Sequence, residues 1–237
     1  MAAALPALAD YIVAQARQAI AARGRFSLVL SGGSSPKKLY ELLASDAYRA
    51  QVSWPQVYLF FGDERYVPHD DAQSNFRMAN EALLKPLGIA PEHVFAVETA
   101  LPPAEAAAAY TEVIQEFFGD AAPQFDLVLL GLGDNSHTAS LFPHTPVLHA
   151  SSVGAEAVYV PELQAQRITL TAPLLNQAHA LAFLVFGADK AAAVQRVLTG
   201  PRNVEEFPAQ LIAPAAGGEV RWFLDEAAAA ELPKQGF

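Results

Sequence analysis

The sequence predicts an α/β fold built on a mostly parallel sheet with helices on both faces. Short apolar runs at 27–30 (SLVL), 57–61 (VYLFF), 127–130 (LVLL) and 180–186 (ALAFLVF) have the composition of strands buried on both sides. Helix-length segments separate these runs, the alternation expected of parallel strands joined by crossovers. No Gly/Ser/Pro-rich linker and no internal repeat divides the 237 residues, so 1–237 reads as a single domain.

The elements follow in order. Leu5, Leu8, Ile12, Ala16, Ala19 and Ile20 share one helical face, with Asp10 and Arg17 opposite. With no basic n-region, the N-terminal stretch reads as an amphipathic helix and not a signal peptide. The run 27–30 leads through SGGSSP into a helix from Pro36 to about Ser45, with Pro36 at the first helical position. The strand 57–61 is followed by a polar loop at 62–74 and a helix at 75–84, which Ser74 and Asn75 cap. Tyr110, Val113, Ile114, Phe117 and Phe118 keep i, i+3, i+4, i+7, i+8 spacing and mark a helix. The run 127–130 opens into GLGDNSH, and 180–186 opens into GADK and a helix at 189–198. VRWFL at 220–224 suits a last strand, with DEAAAA after it as a short helix.

Composition excludes several classes. At 52% hydrophobic residues the chain is not intrinsically disordered. It has no cysteine, which excludes disulfides, thiolate metal ligands and a cysteine nucleophile. With 15 Lys+Arg against 25 Asp+Glu, the net charge of -10 argues against nucleic acid and anionic membranes as partners. No run approaches the ~18 apolar residues of a membrane span. A cytoplasmic globular protein is expected.

In a parallel sheet, ligands bind beyond the carboxyl ends of the strands. Four predicted strands end there in SGGSSP, GDERYVP, GLGDNSH and GADK, which brings Gly, Ser, Arg, Asp and His to one rim. Ser31-Gly32-Gly33-Ser34 lacks the P-loop pattern, yet its glycines allow several N–H groups to point at one anion at a helix start. The plain alternative is a strand-to-helix turn with serine caps. Arg65, in Gly62-Asp63-Glu64-Arg65, suits bidentate phosphate binding. Its flanking acids either hold it or contact sugar hydroxyls; the alternative is a solvated surface pair. GLGDNSH begins like a dinucleotide site, with Ser136 at the third glycine position and Glu156 at the ribose-binding position. Pro143 and Pro146 interrupt the helix such a site requires.

His137 on that loop is the candidate general base, because a neutral imidazole accepts protons near pH 7; the alternative is a hydrogen-bonded structural histidine. His144 and His149 lack the spacing of a compact metal motif, so no metal site is expected, and His69, His93 and His179 read as loop or surface residues. Arg167 and Lys190 add cations near element ends, where a first-turn lysine opposes the helix dipole and suggests a ligand. Ser34, Ser35, Ser136 and Ser140 are available nucleophiles, but none sits in a GxSxG elbow.

Taken in order, SGGSSP, GDERYVP, Ser74-Asn75, GLGDNSHTASLFP, RITLT and GADK resemble the 6-phosphogluconolactonases, most specifically at GDER and HTASLFP. The likeness runs over residues 27–198. It implies a Rossmann-like three-layer α/β/α fold and hydrolysis of 6-phospho-D-glucono-1,5-lactone to 6-phosphogluconate without a cofactor, the second step of the oxidative pentose phosphate pathway. The substrate, a small sugar phosphate, is the only partner implied. The resemblance makes Arg65 and Arg167 phosphate ligands, with Ser31, Gly32, Gly33 and Ser34 beside them and Lys190 near the same anion. His137 becomes the base, and Asp63 and Asn135 join the substrate-contacting set. The chain departs from the family in having Asn135-Ser136 where Asp-Gly is usual, which leaves Asp134 as the nearest carboxylate in sequence. Glucosamine-6-phosphate deaminases share the SGGS-type turn and a similar glycine loop, but follow the histidine with an AFNEP-like segment where this chain has TASLFP. A non-catalytic sugar-phosphate sensor is the reading in which Asn135-Ser136 marks lost activity.

Overall fold

The computed structural model of the chain describes residues 3–214 and 217–233. The five predicted strands and a short edge strand at 94–95, not expected from the sequence, form a parallel six-stranded sheet in the order β4-β2-β1-β5-β8-β9. Its strands are β1 (Phe26–Leu30), β2 (Val57–Phe61), β4 (Val94–Phe95), β5 (Leu127–Leu130), β8 (Ala180–Val185) and β9 (Glu219–Leu224). Successive residues point to opposite faces. Val29, Phe60, Val128 and Phe183 enter one apolar core, while Leu28, Leu59, Leu127 and Leu129 enter a second. Helices α1 (Ala4–Arg23) and α2 (Ser34–Ala44) cover the second core; α5 (Pro103–Phe118) and α7 (Ala191–Thr199) cover the first. Three layers result, which explains why the strands read as continuous apolar runs.

The winding positions the site. From β1 the chain builds outward through β2 to β4, then returns to add β5, β8 and β9 on the other side. The direction therefore reverses between β1 and β5, where the loops leaving adjacent parallel strands diverge and open a crevice. Two buried tyrosines close the strand ends at this rim. Tyr40 Oη accepts from Ser31 N (2.9 Å) and donates to Ser31 O (2.8 Å), and Tyr110 Oη does the same for Phe61 at 2.7 and 3.0 Å. The backbone groups released where the chain leaves the sheet are thus satisfied. At the opposite end Asp126, 4% exposed, accepts from Ser27 N and Oγ (2.7 and 2.8 Å) and pairs with Arg23, tying α1 and β1 to β5.

A second, antiparallel sheet orders β3 (Asp63–Arg65), β7 (Ala165–Leu170) and β6 (Ala155–Val160). It corrects the expectation of a loop from residue 62, because GDER is a strand that leaves the parallel sheet at Gly62 and pairs with β7. Other boundaries also move. Helix α2 starts at Ser34, so Pro36 lies in its first turn but not at the first helical position. The 75–84 helix divides into α3 (Asn75–Ala79) and one π turn (Asn80–Leu84), followed by α4 (Lys85–Leu87). GADK forms a 3-10 turn before α7, and the short α6 (Ala172–Leu175) follows β7. DEAAAA forms turns instead of a helix. Helix α1 matches the predicted opening helix, of which Met1 and Ala2 lie outside the described residues. No helix among the described residues is long and apolar enough to cross a membrane.

Candidate functional site

The crevice between the ends of β1 and β5 is a cleft of about 260 Å³. All four strand-end loops reach it: Ser31, Gly32, Gly33 and Ser34 after β1, Asp63 and Arg65 after β2, His137 after β5 and Lys190 after β8. Gly33, at φ 108°, caps α2, and neither Gly32 nor Gly33 gives its N–H to an acceptor among the described residues. Donors at the start of a helix are suited to an anion or a developing oxyanion. Gly32 also packs directly on Asn75; a Cβ there would lie 2.0 Å from Asn75 Oδ1.

Strand β3 sorts GDER by alternation. Asp63 and Arg65 face the cleft, whereas Glu64 points away and is 1% exposed. The Glu64 carboxylate accepts from Asn75 N (2.7 Å) and Phe76 N (2.8 Å), capping α3, and from Ser74 Oγ at 3.1 Å. Burial pushes its pKa up, opposed by the backbone N–H groups of Asn75, Phe76 and Arg65. Asp63 accepts from Ser140 Oγ (2.6 Å) and Asn75 Nδ2 (3.3 Å). Neither acid forms an ion pair with Arg65, whose Nη1 instead donates to Gln73 O. Glu64 holds Arg65 through the backbone N–H, which donates to Glu64 Oε1 at 2.7 Å, and not through the guanidinium.

Arg65 lies directly opposite Arg167 in the β3–β7 pairing. Like charges in that position repel. Both Nε atoms are buried without a partner. Burial lowers the Arg167 pKa, Asp63 opposes it, and Arg65 adds to the lowering. Two half-buried arginines opposite each other in register, neither in an ion pair among the described residues, are chemically suited to an anion. Lys190, its side chain 26% exposed, lines the cleft and makes no closer ion pair among the described residues than a 3.5 Å contact to Asp189.

His137 stacks on Phe142 at a centroid distance of 3.9 Å. Its Nδ1 lies 2.6 Å from Asn135 Oδ1, while Nε2 has no hydrogen-bond partner among the described residues. A carbonyl oxygen can only accept, so Nδ1 carries the hydrogen and Nε2 keeps its lone pair. Gly133 permits this packing, since a Cβ there would lie 2.0 Å from Nδ1. Burial pushes the His137 pKa down to about 4, with Asp63 and Asp134 opposing and Lys190 and Arg167 adding to the lowering. The imidazole is therefore neutral at pH 7. Since its pKa falls on folding, the stability from burying it neutral is complete above pH 6.5 and is lost between 6.5 and 4. The acid limb of kcat/KM is expected near pH 4, which a rate profile checks; a limb at 6.5 would contradict the burial argument.

Ser136, fully buried, holds φ at 66° and leaves its Oγ without a partner. Left-handed backbone costs a non-glycine residue about 1–2 kcal/mol. Glycine adopts it freely, although its unfolded chain is more flexible. We expect Ser136→Gly to stabilise the protein by about 1 kcal/mol in urea unfolding. Unchanged or reduced stability would show that the serine packs productively.

The profile described as glucosamine-6-phosphate isomerases/6-phosphogluconolactonase matches residues 1–222. This chain belongs to that family. It is 42% identical to the 6-phosphogluconolactonase of Synechocystis sp., covering 91% of this chain and 88% of that protein. The human 6-phosphogluconolactonase is 40% identical, over 94% of this chain and 87% of its own. The solved 6-phosphogluconolactonase of Trypanosoma brucei superposes with a TM-score of 0.84 at 29% identity, covering 97% and 95% of the two chains.

Within this lactonase and isomerase family, the chain arranges its predicted residues in three ways. Ser31, Gly32, Gly33, Ser34, Asp63, Arg65, His137 and Lys190 line the cleft. Arg167 meets the site through Arg65. Asn135, expected among the substrate contacts, does not line the cleft; its Oδ1 faces His137 and its Nδ2 donates to Glu162 Oε1 at 2.8 Å. Asp134 accepts from Asn135 N (3.0 Å) and does not replace a carboxylate at the imidazole. The sequence does not single out two polar residues of the site: Asn75, whose pattern marks a helix cap, lines the cleft, and Ser140, a candidate nucleophile by type, donates to Asp63.

Proposed function

We propose that this chain hydrolyses 6-phospho-D-glucono-1,5-lactone to 6-phospho-D-gluconate, the second step of the oxidative pentose phosphate pathway. The observation that carries the reading is a neutral imidazole, with no partner for Nε2 among the described residues, in the same cleft as Arg65, which stands opposite Arg167 in the β3–β7 register with neither arginine in an ion pair among those residues. His137 Nε2 takes a proton from water as its oxygen attacks the lactone carbonyl. The tetrahedral oxyanion is steadied by backbone N–H groups of the glycine loops. Its collapse breaks the bond to the ring oxygen, which receives the proton back from His137. Arg65, Arg167 and Lys190 hold the phosphate, so binding energy remote from the reacting carbon orients the lactone for attack. No step calls for a metal or a cofactor. A diffusible sugar-phosphate substrate goes with a cytoplasmic site of action.

The test compares hydrolysis of freshly made 6-phosphogluconolactone and unphosphorylated gluconolactone at pH 6.5–7, and ammonia release from glucosamine 6-phosphate. The reading expects rapid turnover of the phosphorylated lactone, slow turnover of gluconolactone and no ammonia. Ammonia would favour the deaminase reading. Sugar-phosphate binding with no acceleration over buffer would favour a sensor.

A further inference from the structure

The orientation of the Asn135 carboxamide is decided 27 residues away. An amide presents an oxygen at one end and an NH₂ at the other, and turning it over exchanges acceptor for donor at His137 Nδ1. With NH₂ toward the ring, Nδ1 would have to accept, the hydrogen would move to Nε2, and the nitrogen free of protein partners would lose its lone pair. Two contacts oppose that turn. His137 N donates to Asn135 Oδ1 at 3.2 Å, and Asn135 Nδ2 donates to Glu162 Oε1 at the shorter 2.8 Å. A carboxylate can only accept, so Glu162 admits only the NH₂ end of the amide. Glu162 sits in the 3-10 turn Pro161–Leu163, at the tip of the β6–β7 hairpin that also carries Arg167.

We propose that Glu162 is a positioning residue for His137. By holding the Asn135 carboxamide with its oxygen toward the imidazole, it fixes the Nδ1–H tautomer and keeps the Nε2 lone pair free. The inference rests on the reading of His137 as the base. The other charged groups acting on His137 are Asp63, Lys190, Asp134 and Arg167, and none is hydrogen-bonded to either ring nitrogen. Glu162 has no ion-pair partner among the described residues, so its hydrogen bond to Asn135 is not a by-product of a surface salt bridge.

The experiment reads the His137 tautomer by ¹⁵N NMR of histidine-labelled protein, together with kcat, KM and Tm. Variants are Glu162→Gln, Glu162→Lys and the double variant Asn135→Asp/Glu162→Lys. Glutamine still offers an acceptor oxygen and is expected to keep the wild-type tautomer and rate. Lysine can only donate, which draws the amide oxygen away from the ring. Glu162→Lys is therefore expected to populate the Nε2–H form and lower kcat about tenfold with KM unchanged, the scale of one ordinary hydrogen bond. Aspartate at 135 has an acceptor oxygen in either orientation, so the double variant should regain the Nδ1–H tautomer and the rate. Tm should stay constant throughout, because the contact is solvent-exposed. An unchanged tautomer in Glu162→Lys overturns the inference and leaves the role of His137 untouched. A shifted tautomer with undiminished kcat would instead overturn His137 as the base.

Discussion

His137→Gln is expected to lower kcat on 6-phosphogluconolactone by about 10²–10⁴-fold while leaving KM close to wild type. Glutamine occupies similar space but cannot take a proton at neutral pH, so the variant removes the base while retaining a polar side chain in the cleft. Hydrogen bonds and glycine-loop donors elsewhere in the cleft remain, which leaves residual acceleration above buffer. The residues proposed to hold the phosphate lie on other elements, β3, β7 and the turn before α7, so substrate should bind nearly as well. Wild-type turnover in this variant would contradict the assignment, and a rise in KM without loss of kcat would make His137 a binding residue.

The second large effect is expected at Arg167. It has no hydrogen-bond acceptor and no ion pair among the described residues, and it stands opposite a like charge, so only the longer-range attraction of Asp63 and Glu64 favours its charge in the free protein. Removing one charged hydrogen-bonding partner costs about 1.5–3 kcal/mol, a factor of roughly 10–150. Arg167→Met should therefore lower kcat/KM for the phosphorylated lactone by that factor and leave gluconolactone unaffected. It should also relieve the repulsion with Arg65, so the unliganded variant unfolds at an equal or higher temperature while losing most of the stabilisation that 6-phosphogluconate confers. Equal losses on both lactones would show that the arginine supports the fold and not the phosphate. Arg65 is the less clean target, because its Nη1 also anchors the Gln73 carbonyl.

Five of the six strands of the main sheet were legible because strands buried on both faces must be apolar throughout; Val57–Phe61 and Leu127–Leu130 coincide with the predicted runs, whereas the edge strand β4, two residues long, leaves no such run. Their carboxyl-end loops were legible for the same reason, since the switch from apolar to Gly, Ser, Asp and His marks where each strand stops. The antiparallel sheet was not. Its strand β3 is three residues long, all charged, and nothing local separates it from a loop. The opposition of Arg65 and Arg167 depends on that register, so pairing two distant segments created a feature absent from either alone. Helix α2 starts at Ser34 because the tight turn at Gly33 already aims the chain, and Pro36 is tolerated anywhere in a first turn. The departure at Asn135-Ser136 suggested a weakened site when read locally. In three dimensions the amide still accepts from the imidazole, with Glu162, from another hairpin, at its far end.

The most direct test of the account is the structure of the protein with 6-phosphogluconate bound. The phosphate is expected between Arg65 and Arg167 with Lys190 in reach, and the C1 carboxylate within hydrogen-bonding distance of His137 Nε2. A C1 carboxylate held away from His137, or a phosphate that leaves both guanidiniums unpaired, would contradict it.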